Sequence, residues 1–172
     1  QTSLVGSEMC IRDSPKGVVY HHRGGYLMAT GSVTAWNMPN RLNFLYTVPM
    51  FHCNGWCYPW TLAMLHARVI CIRNIRAKEI FELISEHKIT HFGGAPIILN
   101  MLANAPKEEQ IKLNHKVYVL TAAAPPPSII FKKMKELGFE VMHVYGLTET
   151  YGHILQCAWN SEWDKLNEDE KA

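Results

Sequence analysis

The sequence predicts an α/β fold: a doubly wound, largely parallel sheet with helices on its flanks. Two observations carry this. Short apolar runs alternate with helix-like segments from Gly17 to Tyr145, and the connections between them are short. No internal repeat interrupts the alternation. The 172 residues are 48% hydrophobic and 19% charged, a globular composition for one ordinary domain.

The elements follow in order. Gly17–Tyr20 is a short strand or turn exit, and His21 to Asn37 reads as a helix weakened by Gly24, Gly25 and Gly31. Pro39 and Asn40 stop it. Phe44–Val48 is β-rich and closed by Pro49, and Gly55 to Ala67 has the look of one buried helix. Val69–Ile72 is a continuous apolar run of the kind that parallel sheets bury. Ala77 to Lys88 is the clearest amphipathic helix, with Ile80, Phe81, Leu83 and Ile84 inward. Ile89–Phe92 is a strand ending in Gly93-Gly94, and Pro96 opens a helix through Ala103. Val117–Leu120 and Glu140–Tyr145 are the last strands, separated by a helix from Ile129 to Leu137 that Gly138 terminates. The acid-rich tail from Ser161 to Ala172 is a solvated, partly helical edge.

Seventeen Lys and Arg against fifteen Asp and Glu leave a formal net charge of +2, which argues against nucleic acid as a partner. No apolar run approaches the ~20 residues that cross a bilayer. Five cysteines at irregular spacing, without a clean signal peptide, fit a reducing, cytoplasmic setting. His52, Cys53 and Cys57 have zinc-like spacing but lack a second ligand pair, so zinc is not expected.

In open α/β sheets ligands bind beyond the carboxyl ends of the strands. The segments there are Pro49–Trp56, Phe92–Pro96, Thr121–Pro125 and Tyr145–Thr150. The last, Tyr-Gly-Leu-Thr-Glu-Thr, resembles the signature of the adenylate-forming, AMP-binding superfamily. Pro15-Lys16-Gly17-Val18 resembles the tail of that superfamily's phosphate loop, and Thr121–Pro125 its adenine-binding turn. The run MFHCNGWCYPWT, between HHRGGYLM and ETYGH, is similar to one branch. That branch holds carboxylate–CoA ligases of short, medium or methylthio-substituted acids.

The resemblance implies a chemistry. A carboxylate is a poor electrophile, so the acid attacks the ATP α-phosphate to give an acyl-adenylate and pyrophosphate, and the CoA thiolate then displaces AMP. Charge gathering on the phosphates must meet donors and a metal already in place. By the resemblance Thr148 donates to the α-phosphate, and Glu149 holds Mg²⁺, a cation that takes one carboxylate beside phosphate oxygens. Tyr145 lies against adenine, while Ala122, Ala123 and Ala124 let the backbone approach the purine edge, with Lys16 and Gly146 also on the nucleotide. His52 and Trp56, four apart and able to share a helical face, line the acyl pocket. ATP, CoA and a small carboxylic acid are thus the expected partners. Tyr20-His21-His22-Arg23 is expected to be a solvated helix start.

The departures are informative. Where the family has a Ser-, Thr- and Gly-rich phosphate loop, this chain has Glu8–Ser14, and residues 3–14 read as translated library-adapter sequence. Residues 1–14 are therefore expected to be a non-native leader and 15–172 a partial adenylation domain. The family's ribose-binding Asp, hinge and lid Lys have no counterpart here, so the piece alone is expected to make no acyl-CoA. An adenylation domain loading a carrier protein and a non-catalytic nucleotide-binding module remain open as alternatives. Oligomeric state is not legible.

Overall fold

The computed structural model describes residues 17–167 and residue 170. The leader expected at 1–14, and Lys16, lie outside the described residues. One sheet organises the rest, in the order β2-β1-β3-β4-β5-β6. Its strands are β1 (Asn43–Tyr46), β2 (Arg68–Cys71), β3 (His91–Gly93), β4 (Val117–Thr121), β5 (Phe139–Leu147) and β6 (Gly152–Gln156). Strands β1 to β5 pair in parallel, and β6 returns antiparallel along β5.

Helices cover both faces, as a doubly wound sheet requires. On one face α4 (Ala77–His87), α5 (Pro96–Ala103) and α6 (Ser128–Glu136) bury Ile80, Phe81, Ile84, Leu99, Leu102 and Met134 against Leu45, Phe92, Val117, Val119 and Phe139. On the other, the helix α1 (His22–Ala35) leads into Trp36 and Met38, and α3 (Tyr58–Met64) supplies Tyr58 and Leu62; these pack on Phe44, Tyr46, Leu120 and Val144. The amphipathic pattern of 77–88 becomes α4, with Ile80, Phe81 and Ile84 fully buried.

Two expectations are corrected. The apolar run Val69–Ile72 forms β2, but β2 is an edge strand: Arg68, Val69 and Cys71 are exposed and only Ile70 is half-buried. An apolar run signals a strand, not its place in the sheet. The single helix expected from Gly55 to Ala67 is broken, because Cys57 has φ 60° and Pro59 opens α3 afresh. The strand β6 went unread.

His91 sits in the wall between the faces, 2% exposed, with Tyr118 stacked on it and Trp36 edge-on, each centroid 5.0 Å away. Burial pulls its pKa down from 6.5 to about 4. The neutral ring is therefore favoured in the fold, whereas an unfolded chain protonates near 6.5. Stability is then complete above that value and lost as pH falls toward 4. We expect the thermal midpoint to drop between pH 8 and pH 5 by the equivalent of about 2 kcal/mol from this residue. His91→Phe, which keeps the aromatic packing, should flatten the profile; an unchanged profile would reject the assignment.

Candidate active site

The turns after the parallel strands meet as expected at the carboxyl edge. Gly94 N–H donates to the Leu120 carbonyl (2.9 Å), and the Thr47 hydroxyl donates to the Gly93 carbonyl. Thr121 of β4 is in register with His143 of β5, and His143 Nε2 lies 3.2 Å from the Ala123 carbonyl oxygen. The Ala122–Ala124 turn is thereby pinned beside β5. Ala122 is half-buried, Ala123 and Ala124 are exposed, and Ala123 takes φ 76°, a left-handed conformation uncommon outside glycine.

From this turn β5 runs on through Tyr145, which is 53% exposed, into a 3₁₀ turn at Thr148–Thr150. Leu147 N–H donates to Thr150 Oγ1 (2.9 Å), and that oxygen lies 2.7 Å from the Gly152 carbonyl, so Thr150 ties off the turn. Glycine is required at 146: a Cβ there would stand 1.9 Å from the Gly152 carbonyl oxygen. Thr148 is buried, with Oγ1 3.4 Å from Cys53 Sγ, and its carbonyl accepts from the Tyr20 hydroxyl. Glu149 is exposed, and no described residue bonds its carboxylate. A free hard-oxygen ligand at a strand end suits Mg²⁺.

The turn α2 (Cys53–Trp56) is the strained element. Cys53, Asn54, Gly55, Trp56 and then Cys57 have φ of 49°, 51°, 63°, 57° and 60°, a left-handed run mostly without glycine. Each non-glycine residue there costs roughly 1–2 kcal/mol. Offsetting contacts hold it: Tyr46 OH donates to the Gly55 carbonyl (3.1 Å), and Cys57 Sγ donates to the Tyr151 carbonyl (3.5 Å). Where the sequence suggested a right-handed helix start at His52–Trp56, the backbone turns left-handed instead. His52 is half-buried ahead of the turn, while the Trp56 ring stacks on His153, centroids 6.3 Å apart. Trp56 Nε1 and His153 Nδ1 are both buried without a hydrogen-bond partner among the described residues. Burial lowers the His153 pKa, keeping the ring neutral. It also raises both thiols, Cys57 to about 11, so at neutral pH they are protonated donors rather than nucleophiles.

Sequence reasoning missed His153 and the part played by Tyr20. The helix start is solvated at His22 and Arg23, yet Tyr20 stacks on Tyr151 at 4.0 Å, and Tyr151 OH accepts from His21 N–H (2.9 Å). The signature turn is thus clasped by Tyr20 and His21 on one side and by Cys53 and Cys57 on the other. The available signal was aromatic: a Tyr at the helix entrance and another just after Tyr-Gly-Leu-Thr-Glu-Thr.

The chain is 53% identical over 161 residues to the acetate/butyrate–CoA ligase AAE7, peroxisomal, of Arabidopsis thaliana, covering 92% of this chain and 28% of that protein. It is 51% identical over 155 residues to the acetate–CoA ligase CCL3 of Humulus lupulus, covering 89% and 27% respectively. The chain therefore spans about a quarter of the length of these relatives. Among solved structures, the N-terminal domain of FACL13 from Mycobacterium tuberculosis superposes with a TM-score of 0.79 at 27% identity, over 92% of this chain and 39% of that one. The o-succinylbenzoate CoA synthetase MenE of Bacillus subtilis, in complex with ATP and magnesium, shares the fold, with a TM-score of 0.75 at 21% identity over 94% of this chain and 32% of that one. The family model described as "AMP-binding enzyme" matches residues 14–171, and the chain belongs to that family.

Proposed function

We propose that this segment is the nucleotide- and acid-facing part of an ATP-dependent, AMP-forming ligase that joins a short carboxylic acid to CoA. The observation that carries the reading is the meeting, at one sheet edge, of the Ala122–Ala124 turn, the Tyr145–Thr150 signature and the His52–Cys57 turn. Relatives named for acetate and butyrate favour a short acid, and their CoA-ligase names favour CoA over a carrier protein as acceptor.

In this reading Tyr145 offers its exposed ring to adenine, an aromatic face being a natural partner for a base. Ala122, Ala123 and Ala124 keep the purine edge unobstructed, Gly146 brings the backbone close, and Lys16 serves the phosphates. The Thr148 hydroxyl donates to the α-phosphate as the acid's oxygen attacks. Glu149 holds Mg²⁺, which when bound neutralises charge on the phosphate oxygens. His52 and Trp56 border the acid. We carry the compartment as cytoplasmic from the cysteine usage; the Arabidopsis relative is described as peroxisomal. No helix among the described residues is long and apolar enough to cross a membrane.

The test is acid-dependent ATP–pyrophosphate exchange by the full-length ligase containing this segment, followed by thioester formation with CoA. Acetate and butyrate should support both, and exchange without any thioester would remove CoA as acceptor. Trp56→Ala, which opens space against His153, should change the ratio of butyrate to longer-acid turnover by about tenfold while the ATP KM stays within about twofold. An unchanged acid profile beside a raised ATP KM would move Trp56 to the nucleotide side.

A further inference from the structure

Resting on that assignment of Thr148, we propose that Cys53 is a positioning residue for ATP activation: its thiol sets the rotamer from which the Thr148 hydroxyl meets the α-phosphate. Both side chains are buried, at 3% and 5% exposure, with Sγ and Oγ1 3.4 Å apart. The Thr148 backbone is already fixed, since its carbonyl accepts from Tyr20 OH and also from Tyr151 N–H (3.1 Å). What remains free is rotation about the Thr148 Cα–Cβ bond, and among the described residues Cys53 is the side chain within hydrogen-bond reach of its hydroxyl.

The mount is rigid. Cys53 stands in the left-handed run, whose backbone is braced by Tyr46 at Gly55 and by Cys57 at Tyr151. A strained turn held this firmly delivers the sulfur to one place.

Sulfur also suits the task. A carbonyl at this position would compete with phosphate for the Thr148 proton. A thiol is a weak donor and a weak acceptor. With S–H pointing at Oγ1, the threonine proton stays available to phosphate, so the hydroxyl is oriented without being consumed. Burial keeps the sulfur protonated for that role.

The experiment compares Cys53→Ala and Cys53→Ser in the full-length ligase by ATP–pyrophosphate exchange, with Thr148→Ala alone and combined. Alanine is chosen over a β-branched residue because φ is 49° at this position. Cys53→Ala should raise the ATP KM about five- to tenfold and leave the acid KM within about twofold. Cys53→Ser, which restores a donor, should recover most of the loss, and Cys53→Ala should add nothing in the Thr148→Ala background. An unchanged ATP KM in Cys53→Ala would overturn the proposal, as would equal rises for ATP and acid. If the alanine variant fails to fold, a folded serine variant as defective as Thr148→Ala overturns it equally. Loss with Thr148→Ala but none at Cys53 rejects the positioning role alone. Normal exchange with Thr148→Ala rejects the nucleotide assignment beneath it.

Discussion

Glu149→Gln in the full-length ligase is expected to lower acid-dependent ATP–pyrophosphate exchange by about two to three orders of magnitude. The substitution is nearly isosteric, and the side chain is exposed at a turn tied off by Thr150, so the fold should survive. The amide removes the negative charge while leaving a neutral oxygen in place. Loss should therefore appear as a raised Mg²⁺ requirement, with part of the rate returning at high Mg²⁺. Thermal midpoints of the two proteins, measured without nucleotide, should agree. Exchange at the original rate and ordinary Mg²⁺ would remove Glu149 from the metal site.

Gly146→Ala should be the most damaging small substitution in the segment, costing about 3–5 kcal/mol. The added methyl would meet the Gly152 carbonyl oxygen at 1.9 Å, its carbon at 2.5 Å and the His153 Cα at 2.6 Å. All are backbone atoms, so no flexible side chain can yield. The β5–β6 ladder, already irregular between Tyr145 and Gly146, would have to part. Separation there moves the signature turn with it. A thermal midpoint lowered by roughly 10 °C or more, with poor soluble yield, is the expected result. A midpoint equal to the parent's would show that the two strands can separate cheaply.

The sequence made the layered fold legible because its strongest local signals and its tertiary arrangement agree. Residues 77–88 carry a helical stripe, and α4 buries that stripe. The order of turns at the sheet edge was legible for the same reason, since each follows a strand that β-propensity marks. What escaped was set by distant contacts. His-Cys-Asn-Gly-Trp reads locally as a helix start; its left-handed course depends on Tyr46 and Tyr151. The residues Gly-His-Ile-Leu-Gln look indifferent, and they become β6 because glycine at 146 lets them lie against β5. Val69 looks like a core residue and is 42% exposed, because nothing in a run of apolar residues tells an edge from a centre.

The clasp on the signature turn also has a history within each molecule's synthesis. Tyr20 meets Thr148 across 128 residues of chain, and Cys53 meets it across 95. Contacts of that span incur their loop-closure entropy before they give anything back, so they belong late in folding. On the ribosome both waiting partners emerge long before the signature does. The layers formed by β1 to β4 can assemble first, with the signature edge completed only when Thr148 arrives. The left-handed turn is thus braced by Tyr151 from a part of the chain not yet made, and a nascent chain passes through a stage in which the frame exists and the site does not.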